Sequence, residues 1–218
     1  MQGKKRLFII GAHDFGREIE SWLELTPSNQ RDWYIAGYLD KDPDALENRQ
    51  SDYEVVGDED TFEFVSDDMV IMGITAPDLK ELIYKKLQGK IQFFSYVAPS
   101  AIIAKFVSIG EGTVISPNSI IAVNAIMGKL VTVNCGSQIG HDVKVGDFSS
   151  IQSNVDIGGK SKLQNKVFVA TGATIIPGRV INDNVMIGAG SVVVSHIKKS
   201  RTVFGIPAKK ILLPNKEK

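Results

Sequence analysis

The stretch Val145–Gln164, VGDFSSIQSNVDIGGKSKLQ, places an aliphatic residue at every sixth position: Val145, Ile151, Ile157 and Leu163. A helix repeats near 3.6 residues and a strand at about 2, so neither period accounts for it. The same register runs unbroken from Val97 through Ile103, Ile109 and Ile115 to Ile187 and Val193. In a chain that is 43% hydrophobic, seventeen consecutive matches arise by chance less than roughly once in a million, so the period is structural. The residue after each aliphatic position is usually small, as at Ala98, Gly110, Gly128, Gly140 and Gly158. The fifth position is Ala, Ser, Thr or Val in all but the hexads of Arg179 and Ile197.

A six-residue period is the mark of a parallel β-helix. Three hexads make one triangular coil, with the aliphatic residue pointing inward and small residues at the corners, where Gly or Asn accepts positive φ. Seventeen hexads make a little under six coils, stacked about 4.8 Å apart.

Residues ahead of the hexads follow other rules. KKRLFIIGAHDFGREIESWLEL reads as a buried strand (Leu7–Ile10), a glycine turn and a helix from about Phe15 to Leu25, with Ile19, Trp22 and Leu23 on one face. WYIAGYLDKD is a second strand ending in acidic residues. YEVVGDED, then MVIMGITAPDLKELIYKKL, adds a further strand, a turn and a helix. Strands alternating with helices imply a small parallel, Rossmann-like α/β sheet. The reading is an α/β domain over residues 1–90, a β-helix over 91–198 and a basic tail over 199–218, with IQFFSYVAPS (91–100) bridging the halves.

Bulk properties exclude several classes. Lys plus Arg and Asp plus Glu both number 25, which argues against a nucleic-acid binder or a membrane-surface binder held by bulk charge. The single cysteine, Cys135, forbids an intrachain disulfide and fits a reducing, cytoplasmic setting. The apolar run Leu7–Ile10 is too short for a signal peptide, and no stretch approaches the length of a membrane span.

Candidate chemistry sits in few places. GAHDFGRE (Gly11–Glu18) lies between strand and helix, where glycines let the backbone approach a phosphate and the helix N-terminus offers free N–H groups. Asp40 ends the second strand, and Gly73-Ile74-Thr75 ends the strand before the second helix. Open α/β sheets bind ligands outside such carboxyl ends, so all three segments could face one cleft. Of three histidines, His13 lies in the glycine turn and His196 follows the last hexad. His141 stands at the third position of its hexad, facing outward, with Asp142 beside it; a His with a neighbouring carboxylate makes a general base near neutral pH. The hexads hold no histidine besides His141, so a three-histidine zinc site is excluded and no metal is expected.

With the hexads, the HD pair followed by KVGDFSSI, the GAHDFGRE turn, GYLD and the terminal GIPAKKI in place, the chain resembles the PglD-like and sialic-acid-O-acetyltransferase-like sugar acetyltransferases of the left-handed β-helix (hexapeptide repeat) superfamily. That resemblance implies a homotrimer with acetyl-CoA in the groove between neighbouring prisms and a nucleotide sugar on the α/β domain. It implies that His141 deprotonates the attacking group and that Asp142 orients it. Gly11, Ala12, His13 and Gly16 would approach the acceptor's phosphates, Asp40 the nucleobase or ribose, and Gly73 and Ile74 the sugar. Gly159, Thr171 and Ala189 match coil positions along the pantetheine arm, and Lys209 and Lys210 suit the CoA phosphates by charge. Three positions depart from the pattern. Gly140 stands where Asn or Glu often precedes the histidine. Ser150 replaces a second histidine that positions the thioester. Lys41 replaces a second acidic residue after Asp40. The implied activity is N-acetylation of a UDP- or dTDP-linked 4-amino-4,6-dideoxy sugar for surface-glycan synthesis. The alternatives are O-acetylation of sialic acid and a non-catalytic nucleotide-sugar-binding trimer.

Overall fold

The computed structural model describes residues 3–211. The chain divides into two compact units, residues 1–99 and 100–218. The division falls later than the expected 90/91 because β5 (Gln92–Phe93) completes the first unit's sheet rather than opening the solenoid.

In the first unit, β1 (Lys5–Ile10) leads into α1 (Asp14–Glu24), then β2 (Trp33–Leu39), β3 (Val55–Gly57), β4 (Met69–Met72) and α2 (Pro77–Leu87). The sheet order is β3-β2-β1-β4-β5 and every pairing is parallel. β1 reads KRLFII and β4 MVIM, and their inner residues are buried, as strands at the centre of a parallel sheet require. Crossing from β1 outward to β2 and β3, and in the other direction to β4, brings the carboxyl ends of β1, β2 and β4 together. That edge is where such sheets leave a crevice. Glu20 on α1 is buried and fixes the 48–53 loop. It accepts hydrogen bonds from Tyr38 Oη, from Ser51 Oγ at 2.6 Å and from the Asp52 N–H at 3.2 Å.

The second unit is a three-faced parallel solenoid. Face 1 carries the strands Ile102–Ile103, Ile120–Ile121, Gln138–Ile139, Asp156–Ile157, Thr174–Ile175 and Val192–Val193. Face 2 runs from Ser108–Ile109 to Val180–Ile181, and face 3 includes Val114–Ile115, Thr132–Val133, Ser150–Ile151, Phe168–Val169 and Met186–Ile187. Partners lie 18 residues apart throughout, as in Ile121 with Ile139 and Ile139 with Ile157. From Ile115 to Val193 the aliphatic residues are buried and form one continuous core. Val97 keeps the register, on the strand Tyr96–Val97 that ends face 3 beside Val114–Ile115, but it is 38% exposed rather than buried.

Every sixth residue from Phe106 to Gly190 has positive φ, including Leu130, Phe148, Lys160 and Lys166. These lie two residues beyond the small position, so the small residue is needed for a different reason. A β-carbon on Gly140 would stand 2.6 Å from the Gly159 nitrogen, and one on Gly158 2.5 Å from the Pro177 nitrogen. The coils touch there, backbone against backbone. The fifth-position residues turn inward at the corners. Thr113 Oγ1 donates to the Gly128 carbonyl at 2.8 Å and Ser137 Oγ to the Gln152 carbonyl at 2.7 Å, which satisfies buried backbone groups.

The segment expected as a basic tail over 199–218 contains two short strands. Thr202–Phe204 pairs in parallel with Met186–Ile187, and Lys209–Lys210 folds back antiparallel on it. Residues 212–218 lie outside the described part of the chain.

Candidate functional site

Chemistry-bearing residues gather in two places, one in each unit. In the solenoid, His141 stands at the corner between faces 1 and 2. Its ring is half exposed, and Nδ1 lies 2.8 Å from Asp142 Oδ2. Asp142 adopts a φ of 59°, and its Oδ1 accepts from Asn124 Nδ2 at 3.0 Å. Asn124 occupies the matching corner position one coil earlier. The carboxylate's pKa lies below the usual aspartate value, first because His141 bonds it, then because Asn124 does; the charge on Lys160 adds to this. An ionised Asp142 accepts from Nδ1–H, which leaves Nε2 as the free basic nitrogen.

Gly159 completes this corner. It lies one coil beyond His141, joined through the Lys160 N–H to the His141 carbonyl at 2.8 Å. The imidazole sits over its α-carbon: a methyl there would be 2.5 Å from Nε2. The Gly159 N–H donates to no acceptor among the described residues. Thr171 and Ala189 form a separate ladder at the corner between faces 3 and 1, both exposed, with the Gly190 N–H on the Thr171 carbonyl at 2.9 Å. Face 1 therefore separates them from His141. Ser150 lies on face 3 and is buried, so its hydroxyl is not at the His141 corner. Lys209 is exposed on its short strand.

In the first unit a cavity of about 570 Å³ opens at the strand ends and is lined by Gly11, His13, Asp40, Lys41, Gly73 and Ile74, among others. Ala12 and Gly16, also expected there, do not line it. Ala12 is fully buried and gives its N–H to Asp40 Oδ2 at 2.8 Å. Gly16 is packed on Gly11, where a β-carbon would stand 1.9 Å from the Gly11 carbonyl oxygen. The turn's glycines are thus required by close strand–helix packing as well as by the cavity. Asp40 spends both oxygens on the turn, its Oδ1 accepting from the Asp42 N–H at 3.0 Å. His13 Nδ1 lies 2.8 Å from Arg49 Nη1, a partner that nothing in the sequence pattern marks. Lys41 is held by Asp60 at 2.8 Å, and Glu59 lines the same cavity.

The second unit has the fold of the left-handed β-helix acyltransferases and follows the small parallel α/β unit in the chain. Residues 6–87 match the family described as the PglD N-terminal domain. A serine acetyltransferase of Synechococcus elongatus is 37% identical over 38% of each chain. GDP-perosamine N-acetyltransferase of Escherichia coli O157:H7 is 29% identical over 42% of this chain and 41% of its own. The chain thus spans about two fifths of the length of these curated relatives. Over nearly the whole chain the fold matches PerB from Caulobacter crescentus, solved in complex with CoA and GDP-perosamine. That match has a TM-score of 0.84 at 24% identity and covers 97% of this chain and 98% of PerB. Among the described residues no helix is long and apolar enough to cross a membrane.

Proposed function

We propose that this protein transfers an acetyl group from acetyl-CoA to the amino group of a nucleotide-linked 4-amino-4,6-dideoxy sugar. The observation that carries the reading is the His141 corner. One imidazole nitrogen is anchored on Asp142, the other is free and exposed, and an unused backbone N–H at Gly159 lies beneath it. An acetyl thioester is already activated, so direct attack suffices and no acyl-enzyme is needed. The sugar amine attacks the thioester carbonyl while His141 Nε2 takes the amine proton. The tetrahedral intermediate then expels the CoA thiolate, which receives that proton from the imidazolium. A positioned base contributes about 10²–10⁴-fold, and the Gly159 N–H is placed to stabilise the developing oxyanion.

Acetyl-CoA as co-substrate and a nucleotide sugar as acceptor are supported by the names of the similar proteins and by the cavity at the strand ends. The active form in this reading is a homotrimer. His141 and the Thr171–Ala189 ladder lie at opposite edges of face 1, so a groove that uses both takes them from two copies. Exposed Ile102, Ile120 and Ile126 on faces 1 and 2 fit such packing. The reaction takes place where acetyl-CoA is available, in the cytoplasm.

The test is thiol release from acetyl-CoA with GDP-, UDP- and dTDP-linked 4-amino sugars, CMP-sialic acid and free sialic acid. Turnover with a nucleotide-linked amino sugar is expected. Turnover with sialic acid alone would replace N-acetylation by O-acetylation, and silence across the panel would contradict the reading.

A further inference from the structure

The cavity of the first unit holds a group that the turn and the acetyl-transfer step leave unused. Glu59 follows β3, is only 6% exposed, and lines the cavity. Its nearest cation, Lys41 Nζ, stands 3.9 Å from Oε1, outside hydrogen-bond reach, and is itself held by Asp60 at 2.8 Å. Burial raises the Glu59 pKa against the pull of a hydrogen bond from its own backbone and of the Lys41 charge, and the neighbouring Asp58 and Asp60 act in the same direction as burial. Asp60, by contrast, is satisfied by Lys41 and by Lys86 at 2.7 Å. A carboxylate has about four lone-pair sites, and one backbone N–H with a cation at 3.9 Å leaves room on Glu59 for further donors, so the cavity suits a ligand that brings them.

We propose that Glu59 and Lys41 together read a guanine base, which makes the sugar's carrier guanosine diphosphate. This rests on the nucleotide-sugar reading above and replaces the uridine or thymidine carrier expected from the resemblance. The pairing edge of guanine runs acceptor, donor, donor: O6, N1–H, N2–H. The two Glu59 oxygens accept the paired N–H groups, and the Lys41 ammonium beside Oε1 faces O6. Uracil and thymine present a single donor between two carbonyls, and those carbonyls would repel the carboxylate. Cytosine and adenine present one amino donor beside a bare ring nitrogen. Only guanine offers two adjacent donors. Leu39, Leu79 and Ile83 line the same cavity and supply apolar surface for the ring faces.

The experiment is a calorimetric titration of the intact protein with GDP, UDP, dTDP, CDP and ADP. GDP is expected to bind at least about tenfold more tightly than the others. Glu59→Gln, which keeps the shape but sets an amide N–H against a base donor, is expected to lower GDP affinity about 10- to 100-fold. UDP affinity should not fall, because the substitution removes the carboxylate that repels the uracil carbonyls. Lys41→Met is expected to weaken GDP binding by a smaller factor. UDP or dTDP binding as tightly as GDP would overturn the guanine assignment and leave the nucleotide-sugar reading standing. Binding of none of the five would overturn both.

Discussion

The His141 imidazole rests on the α-carbon of Gly159, one coil further along the solenoid, so closely that a methyl group there would stand 2.5 Å from Nε2. The glycine sets the height of the ring above the coil, and the bond from Nδ1 to Asp142 sets its rotation.

Gly159→Ala is therefore expected to displace the ring without breaking the coil. Gly159 has no positive φ, and the atoms in the way belong to an exposed side chain that can swing aside. Turnover should fall about a hundredfold, the scale of a misplaced catalytic group, while the melting temperature stays within a few degrees of wild type. Unchanged turnover would show that the ring's seat on Gly159 is not used.

Gly140→Ala gives the opposite signature. Its β-carbon would meet backbone, the Gly159 nitrogen at 2.6 Å and the Ile157 carbonyl oxygen at 2.8 Å, and neither can move alone. A loss of roughly 1–3 kcal/mol in stability is expected, read by thermal or denaturant unfolding. A wild-type melting curve would contradict the stacking argument.

The Asp142 carboxyl is expected to titrate below 3.8, since its anion is held first by His141 and then by Asn124. A depressed folded-state pKa contributes stability that is present above the unfolded value and is lost as pH falls through the folded one. Carboxyl-carbon NMR should show the low midpoint, and Asn124→Ala should raise it toward 3.8. A wild-type midpoint at or above 3.8 would contradict the pairing.

Glu20→Ala is expected to loosen the 48–53 loop from α1, because three donors lose their acceptor: Tyr38 Oη, Ser51 Oγ and the Asp52 N–H. Stability should fall by about 1–3 kcal/mol, and hydrogen exchange in that loop should speed up. Unchanged exchange would contradict the tethering.

The solenoid was legible because its period is written in single residues: Ile139, Val145, Ile151 and Ile157 are spaced alike and buried alike. The physical reason for the small positions was less legible. Gly140 and Gly158 are small because coils touch, while positive φ falls two residues on, even at Leu130 and Phe148, where the coil geometry overrides side-chain preference. His141 and Asp142 could be picked out as neighbours, and Asn124 follows from the 18-residue coil spacing once that is applied to Asp142. Glu59, Arg49 and the Glu20 network could not be found that way. They join segments far apart in the chain, with no period linking them. The tail from Thr202 eluded the hexad register because it closes face 3 from outside that repeat.

The most direct test of the account is turnover of His141→Ala with acetyl-CoA and a nucleotide-linked 4-amino sugar, in a sample whose assembly and melting temperature match wild type. Loss of about a hundredfold or more is predicted, the scale of a missing general base. Turnover within a factor of about two of wild type would contradict a mechanism that runs through His141.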